Sequence, residues 1–266
     1  MSKDIKVREP FKPTDGLYDP SYSIIGSLLC DISWSGNTVN KYRKAGKGYE
    51  NVLTAEVFQI LDFLPRTFFL GEVIRNLHSN NTEVLNRLNA EVEELSMNLF
   101  PGNHYLKSNP KSHQSGISVQ PDGLIETPST YGLLELKRIK SGSFQPLQLA
   151  REFYLVTRDA KEKIPFMILV IAKEPPVPVQ SNGKVDLVPY IQKTLPEVYK
   201  SADSHYLTLS QLQDMVEDHI SWITWSEIKT IISNLKEKHQ SNNTSIDASI
   251  TRLCDTLIHA IDFHSN

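Results

Sequence analysis

The chain has 266 residues, with apolar and charged fractions of 39% and 22% and a formal net charge of −3. Those fractions are ordinary for a folded domain, and the slightly acidic balance excludes nucleic-acid binding driven by overall charge; any such contact must come from local basic patches. The N-terminus has charges but no apolar leader core, and the longest apolar run, 164–172, is too short to span a bilayer, so the expectation is a soluble, cytoplasmic protein with no membrane contact.

Residues 1–48 read as an N-terminal extension. Pro10, Pro13 and Pro20 come first, then an apolar segment at 22–34 that suits a strand or a docking helix, then the densest positive run, Lys41-Tyr42-Arg43-Lys44-Ala45-Gly46-Lys47-Gly48. That run is either a solvated loop or a phosphate-contacting one, and it lacks the G-x-x-x-x-G-K-[ST] frame of a P-loop. Cys30 lies here and Cys254 near the other end; no C-x-x-C spacing links them, which points to buried free thiols rather than a disulfide or zinc site.

From Tyr49, apolar residues recur at three- and four-residue intervals (Val52, Leu53, Val57, Phe58, Ile60, Leu61, Leu64), which predicts a helix. Pro65 breaks it, and Phe68, Phe69, Val73, Ile74 and Leu77 predict a second helix. After a capped turn at 79–82, Val84, Leu85, Leu88, Val92 and Leu95 predict a third, ended by Phe100-Pro101-Gly102. Its acids Glu91, Glu93 and Glu94 are expected on a solvated face. Residues 104–116 read as a polar loop with a short strand near Tyr105; His104 and His113 in it have no ligand spacing.

Two strands follow, separated by Thr127-Pro128-Ser129, and Ser141-Gly142-Ser143 is expected to cap a helix reaching Asp159. The run 164–172 reads as a strand buried on both faces, and the crossover from Lys137 to Phe166 is long enough for a right-handed parallel connection. Beyond an extended exit at 174–182, the pattern predicts a helix at 207–218 and a strand at 220–225, with Trp222 and Trp225 packed in the core. A helix at 226–238 capped by Ser226 and a terminal helix at 246–261 complete the chain. The whole is one α/β domain over 1–266: extension 1–48, core 49–175, and a C-terminal strand and helices over 176–266.

The chemistry concentrates in 119–140, VQPDGLIETPSTYGLLELKRIK. On a strand, Glu135 and Lys137 share one face while Leu134 and Leu136 take the other, and pairing with the strand before it brings Asp122 alongside. The acid-x-Lys pattern also occurs at Asp4/Lys6, Asp159/Lys161 and Glu227/Lys229. What distinguishes Glu135/Lys137 is an apolar strand with Pro121-Asp122 before it and an amphipathic helix after it. The competing reading is the exposed face of an edge strand beside an ordinary Asp-Gly turn.

Pro121-Asp122, Glu135-Leu136-Lys137 and Gln148 in Phe144-Gln145-Pro146-Leu147-Gln148-Leu149-Ala150-Arg151-Glu152 resemble, in this order, the PD-(D/E)xK nuclease superfamily. The resemblance covers about 49–172, with the strand near 220–225. Glu50, in Tyr49-Glu50-Asn51-Val52-Leu53-Thr54, resembles the Glu-Asn-x-x-Thr start of many bacterial members; Glu56 on the same helix is the alternative acid. The resemblance implies a restriction-endonuclease-like core, a mixed central sheet flanked by helices with helical additions at both ends. It also implies a Mg2+-dependent deoxyribonuclease leaving 5′-phosphate and 3′-hydroxyl ends, with Mn2+ substituting, and a role in restriction, phage defence or repair, as a homodimer or with a defence-system partner protein.

The residue types fit that chemistry. Hard carboxylate oxygens suit Mg2+, so Asp122, Glu135 and the Leu136 carbonyl would hold it, with Glu50 available for a second ion. Lys137 would orient and help deprotonate the attacking water, or stabilise charge near it. Gln148 would bond the nucleic-acid backbone or the site carboxylates, with Gln145 a weaker candidate on the same helix face, and Arg138 and Lys140 would extend the basic side. The rival reading is a catalytically silent module of the same fold that binds nucleic acid or docks a partner.

Overall fold

The computed structural model describes residues 48–106, 117–140, 142–202 and 205–265. Cys30, the basic run at 41–47 and His113 lie outside them. The first helix, α1 (Gly48–Phe63), buries Leu53, Val57, Phe58 and Leu61 along one stripe. It leads to α2 (Leu70–Arg75), a two-residue strand β1 (His78–Ser79) and α3 (Thr82–Ala90). Asn81 caps α3, its side chain accepting from the N–H groups of Glu83 and Val84.

The third helix is shorter than its periodicity predicts. After a single 3-10 turn (Val92–Glu94) the chain becomes strand β2 (Ser96–Leu99). Leu95 belongs to two patterns: it continues the spacing of Leu88 and Val92, and it also starts the alternation Leu95, Met97, Leu99, between which Ser96 and Asn98 are exposed. The second pattern prevails because β2 closes one edge of the sheet. Strands β3 (His104–Tyr105) and β4 (Ser118–Val119) pair with each other outside it.

Next come β5 (Gly123–Glu126), β6 (Thr130–Leu136), α4 (Gln148–Asp159) and β7 (Ile164–Ile171). Residues 142–147 are not helical as expected. Leu147 has a left-handed backbone (φ 63°), and Phe144 forms a bridge to Val179 instead. The exit segment folds into a hairpin, β8 (Val177–Val179) and β9 (Gly183–Val185), followed by α5 (Leu187–Ser201), which carries Pro196 inside it. Then α6 (Leu209–Met215), β10 (Ile220–Thr224), α7 (Trp225–Lys238) and α8 (Thr244–Ser265) complete the chain. The cap of α7 is Thr224, not Ser226: its hydroxyl accepts from Glu227 N–H while the Glu227 carboxylate accepts from Thr224 N–H. Trp225 therefore starts a helix rather than ending a strand.

Among the described residues, six strands form one mixed sheet in the order β1-β10-β7-β6-β5-β2. β10, β7 and β6 run parallel, and the outer pairings are antiparallel. Each face carries its own core. Leu134, Leu136, Phe166, Ile168 and Val170 pack with α1, α2, α7 and α8 on one side. Leu133, Met167 and Leu169 pack with α4 and α5 on the other. Full burial of each such side chain is worth about 1.5–3 kcal/mol, so the central strands are fixed from both faces. No described helix is long and apolar enough to cross a membrane.

Candidate metal centre

The register of β5 and β6 builds the site. Gly123 pairs with Leu134 and Leu124 with Leu133, so one further step of the ladder sets Asp122 opposite Glu135. The β6 alternation sends Leu134 and Leu136 into the core beside α1 and turns Glu135 to the α4 side. Past the end of β6, Lys137 stays tied to the sheet through its N–H, which donates to the Val170 carbonyl at 2.8 Å. Its own carbonyl accepts from Trp225 Nε1 at 2.7 Å. The turn beyond closes at Gly142, where a Cβ would lie 2.7 Å from the Arg138 carbonyl oxygen.

Three carboxylates converge here: oxygens of Glu50, Asp122 and Glu135 lie within 4.8 Å of one another. Each uses one oxygen on a protein donor. Leu136 N–H donates to Asp122 Oδ2 at 2.7 Å, and Arg138 N–H donates to Glu50 Oε2 at 2.9 Å. Glu135 Oε1 takes two donors, the Lys137 ammonium and the Gln148 amide, the latter at 2.5 Å. Glu135 Oε2 is buried with no hydrogen-bond partner. An orphaned, buried carboxylate oxygen beside two other acids fits a hard divalent cation.

The electrostatics follow from packing several acids around one ammonium. Burial, then the charge of Glu135, pushes the Asp122 carboxyl well above the usual carboxylate range, against the pull of Lys137. Burial raises Glu135 as well, again against Lys137. For Lys137, burial alone favours the neutral amine. Glu135, Glu50 and Asp122 outweigh it, so the pKa rises and the ammonium persists. Its Nζ lies 3.7 Å from Glu50 Oε1 and 5.0 Å from the centre of the Phe144 ring.

The structure brings together Glu50, Asp122, Glu135, Lys137 and Gln148. Glu56 is elsewhere: its carboxylate is 48% exposed and lies 3.4 Å from His264 Nε2. Gln145 does not share the helix face of Gln148, because the helix begins only at Gln148; its backbone N–H instead donates to Gln148 Oε1 at 3.1 Å. His104 stands 3.8 Å from Asp159 and is not among the residues whose carboxylates converge. Arg138 is half-buried and Lys140 exposed. Glu91 is not simply solvated: its Oε2 accepts from the Thr127 hydroxyl and from Ser129 N–H and Oγ, clasping the β5–β6 turn. Glu93 likewise accepts from Thr67 N–H at 3.0 Å.

Two contributors escape the motif. Trp225 holds the Lys137 carbonyl, a role that sequence spacing does not signal. Glu152 is 1% exposed and its Oε1 accepts from Gln148 Nε2 at 2.8 Å. Its signal is an acid set in the buried stripe Leu149, Phe153, Val156, one turn after Gln148. Burial and the Glu135 charge push its carboxyl well above the normal range.

Comparison of the chain with family models, curated proteins and solved structures returns no significant match to any of them.

Proposed function

We propose that this protein is a metal-dependent nuclease with a restriction-endonuclease-like core, hydrolysing phosphodiester bonds, most directly in DNA. The observation that carries the reading is the convergence of Glu50, Asp122 and Glu135, each with one oxygen tied to a protein donor, beside the Lys137 ammonium. The element order supports it: α1, then β2, β5 and β6 as adjacent antiparallel strands, then α4 and the parallel strand β7, is a helix-strand-strand-strand-helix-strand core.

Mg2+ suits the donor set, with Mn2+ as a substitute; Asp122, Glu135 and Glu50 would hold it, together with the Leu136 carbonyl. A bound ion of this kind supplies Lewis acidity at a phosphoryl oxygen and lowers the pKa of a coordinated water. The chain's own residues do the rest. Lys137, kept protonated by the carboxylates, orients a water through its N–H groups and neutralises charge accumulating on the phosphate; in this state it is a donor, not a base. Gln148 has both amide hydrogens directed at carboxylates, Glu135 and Glu152, so it serves the site rather than the nucleic-acid backbone. Restriction, phage defence or repair, alone as a homodimer or with a partner protein, are the settings this chemistry suits.

The test is incubation of the purified protein with plasmid, single-stranded DNA and RNA in Mg2+ or Mn2+. Hydrolysis of DNA is expected, stopped by EDTA, and lowered about 100-fold or more by Lys137→Ala, the scale of losing one electrostatic stabiliser. Unaltered activity in that variant would remove Lys137 from the mechanism. Metal binding with no hydrolysis of any nucleic acid would favour a silent binding module.

A further inference from the structure

Glu152 has an environment that stability alone does not account for. It occupies an apolar stripe of α4, 1% exposed, with Oε2 buried and without a hydrogen-bond partner. An aliphatic side chain there would avoid the cost of desolvating a carboxyl group. What Glu152 does hold is the Gln148 amide, and its carboxyl also shares a hydrogen bond with that of Glu135.

Three contacts fix that amide. Gln148 Oε1 accepts the backbone N–H of Gln145 at 3.1 Å, and Gln148 Nε2 lies 2.8 Å from Glu152 Oε1 and 2.5 Å from Glu135 Oε1. A flipped amide would set its carbonyl oxygen against two acids and its NH2 against a donor. The network therefore assigns the orientation in which one N–H reaches each carboxylate and the amide oxygen accepts from Gln145. Glu135 Oε1 is then saturated by Gln148 and Lys137, leaving Oε2 as the oxygen with coordination capacity to spare.

We propose that Glu152 is a positioning residue: it anchors the Gln148 amide, which in turn turns the open oxygen of Glu135 toward the cation. This rests on the metal reading given above. A direct role for Glu152 as ligand to a second cation fits less well, because its carboxyl is engaged with the Gln148 amide and the Glu135 carboxyl, while the acids that converge for a cation are Glu50, Asp122 and Glu135. Outer partners of this kind typically contribute about 10–100-fold in metal affinity.

The experiment compares the full chain with Glu152→Gln and Glu152→Met. The first keeps an acceptor oxygen for Gln148, and the second fills the apolar stripe without one; thermal melts verify that both fold. Two quantities are read: the Gln148 side-chain NH2 resonances in metal-free 15N spectra, assigned by their loss in Gln148→Met, and Mn2+ affinity by electron paramagnetic resonance. The wild type should show slowly exchanging, resolved NH2 signals. Glu152→Gln should retain both those signals and near-native Mn2+ affinity, whereas Glu152→Met should lose the signals and weaken Mn2+ about 10–100-fold. Unchanged signals and affinity in Glu152→Met would overturn the proposal. So would equal loss of Mn2+ in both variants with the NH2 signals intact in Glu152→Gln, which would make Glu152 a ligand. Absence of Mn2+ binding by the wild type would sink the metal reading and the aiming of Glu135 with it, while the NH2 signals still report separately whether Glu152 anchors Gln148.

Discussion

Lys137 and Glu135 form a pair that neither residue would form alone in this setting. Both are buried, and a lone charge at either position would neutralise itself by titration. Removing one member of a buried pair is costly because the other is left uncompensated, on the order of 3 kcal/mol. Lys137→Met is therefore expected to lower the unfolding free energy of the metal-free protein at neutral pH by that amount, measured by urea unfolding. A change under about 0.5 kcal/mol, the range of ordinary surface substitutions, would show that the pair is solvated rather than buried. Trp225→Phe should remove one hydrogen bond to the Lys137 carbonyl and cost about 1 kcal/mol while keeping the core filled. The Asp122, Glu135 and Lys137 triad was legible in the sequence through strand alternation, which puts Glu135 and Lys137 on one face, and through Pro121-Asp122 preceding them in the order the family resemblance implies; the antiparallel register that sets Asp122 opposite Glu135 came from the structure. Glu50 was legible only as one of two acids on a helix, since choosing it over Glu56 depends on the angle at which α1 meets the sheet. Trp225 was not, because it acts through a contact between distant segments, and Glu152 left only the faint signal of an acid set in an apolar helical stripe one turn after Gln148.

The clasp made by Glu91 lets the β5–β6 hairpin be tested as an element. The Thr127 hydroxyl, chiefly, and then Ser129 hold the Glu91 carboxyl below its usual range, against a smaller effect of desolvation. A carboxyl with a depressed native pKa contributes stability that is present above its unfolded value near 4.5 and disappears as pH falls through the lower native value. Glu91→Gln should therefore destabilise the protein at neutral pH and flatten the acid limb of its stability curve below about pH 4.5, as seen in melts across pH. An unchanged acid limb would contradict the clasp. Thr224→Ala should cost about 1 kcal/mol, the usual value of an N-cap, whereas Ser226→Ala should cost little. The elements with one clear period, α1, β6, β7 and α8, were readable from spacing. β2 was hidden inside a helical pattern that overlaps it at Leu95. The start of α4 was obscured by Leu147, whose left-handed backbone no residue type there announces. α5 was masked by Pro189 and Pro196, which ordinarily argue against a helix; Pro189 sits in its first turn, where an N–H has no intrahelical partner to lose.

For the molecule as a whole, the sheet joins two cores, and the candidate centre lies where α1 from one face and α4 from the other meet the ends of β5 and β6. A ligand binding there couples both layers, so metal binding and global stability are linked. At a cation concentration about 100 times Kd, linkage adds about 2.7 kcal/mol. For a chain of this size that corresponds to a rise in Tm of about 5–10 °C. Scanning calorimetry should show that rise with Mg2+ or Mn2+ and lose it in Asp122→Asn. The α/β architecture and its parallel crossover followed from element order and the mixed sheet from the family resemblance, but which helix covers which face did not, because the amphipathic helices among the described residues offer stripes that either core would accept.

Glu50, Asp122 and Glu135 are proposed to bind one divalent cation. A crystal grown or soaked with Mn2+ and measured near the manganese absorption edge tests this most directly. An anomalous peak is expected between these three carboxylates, with Glu135 Oε2 facing it and Lys137 beside it. An empty cluster at saturating Mn2+, or a peak held by other residues, would contradict it.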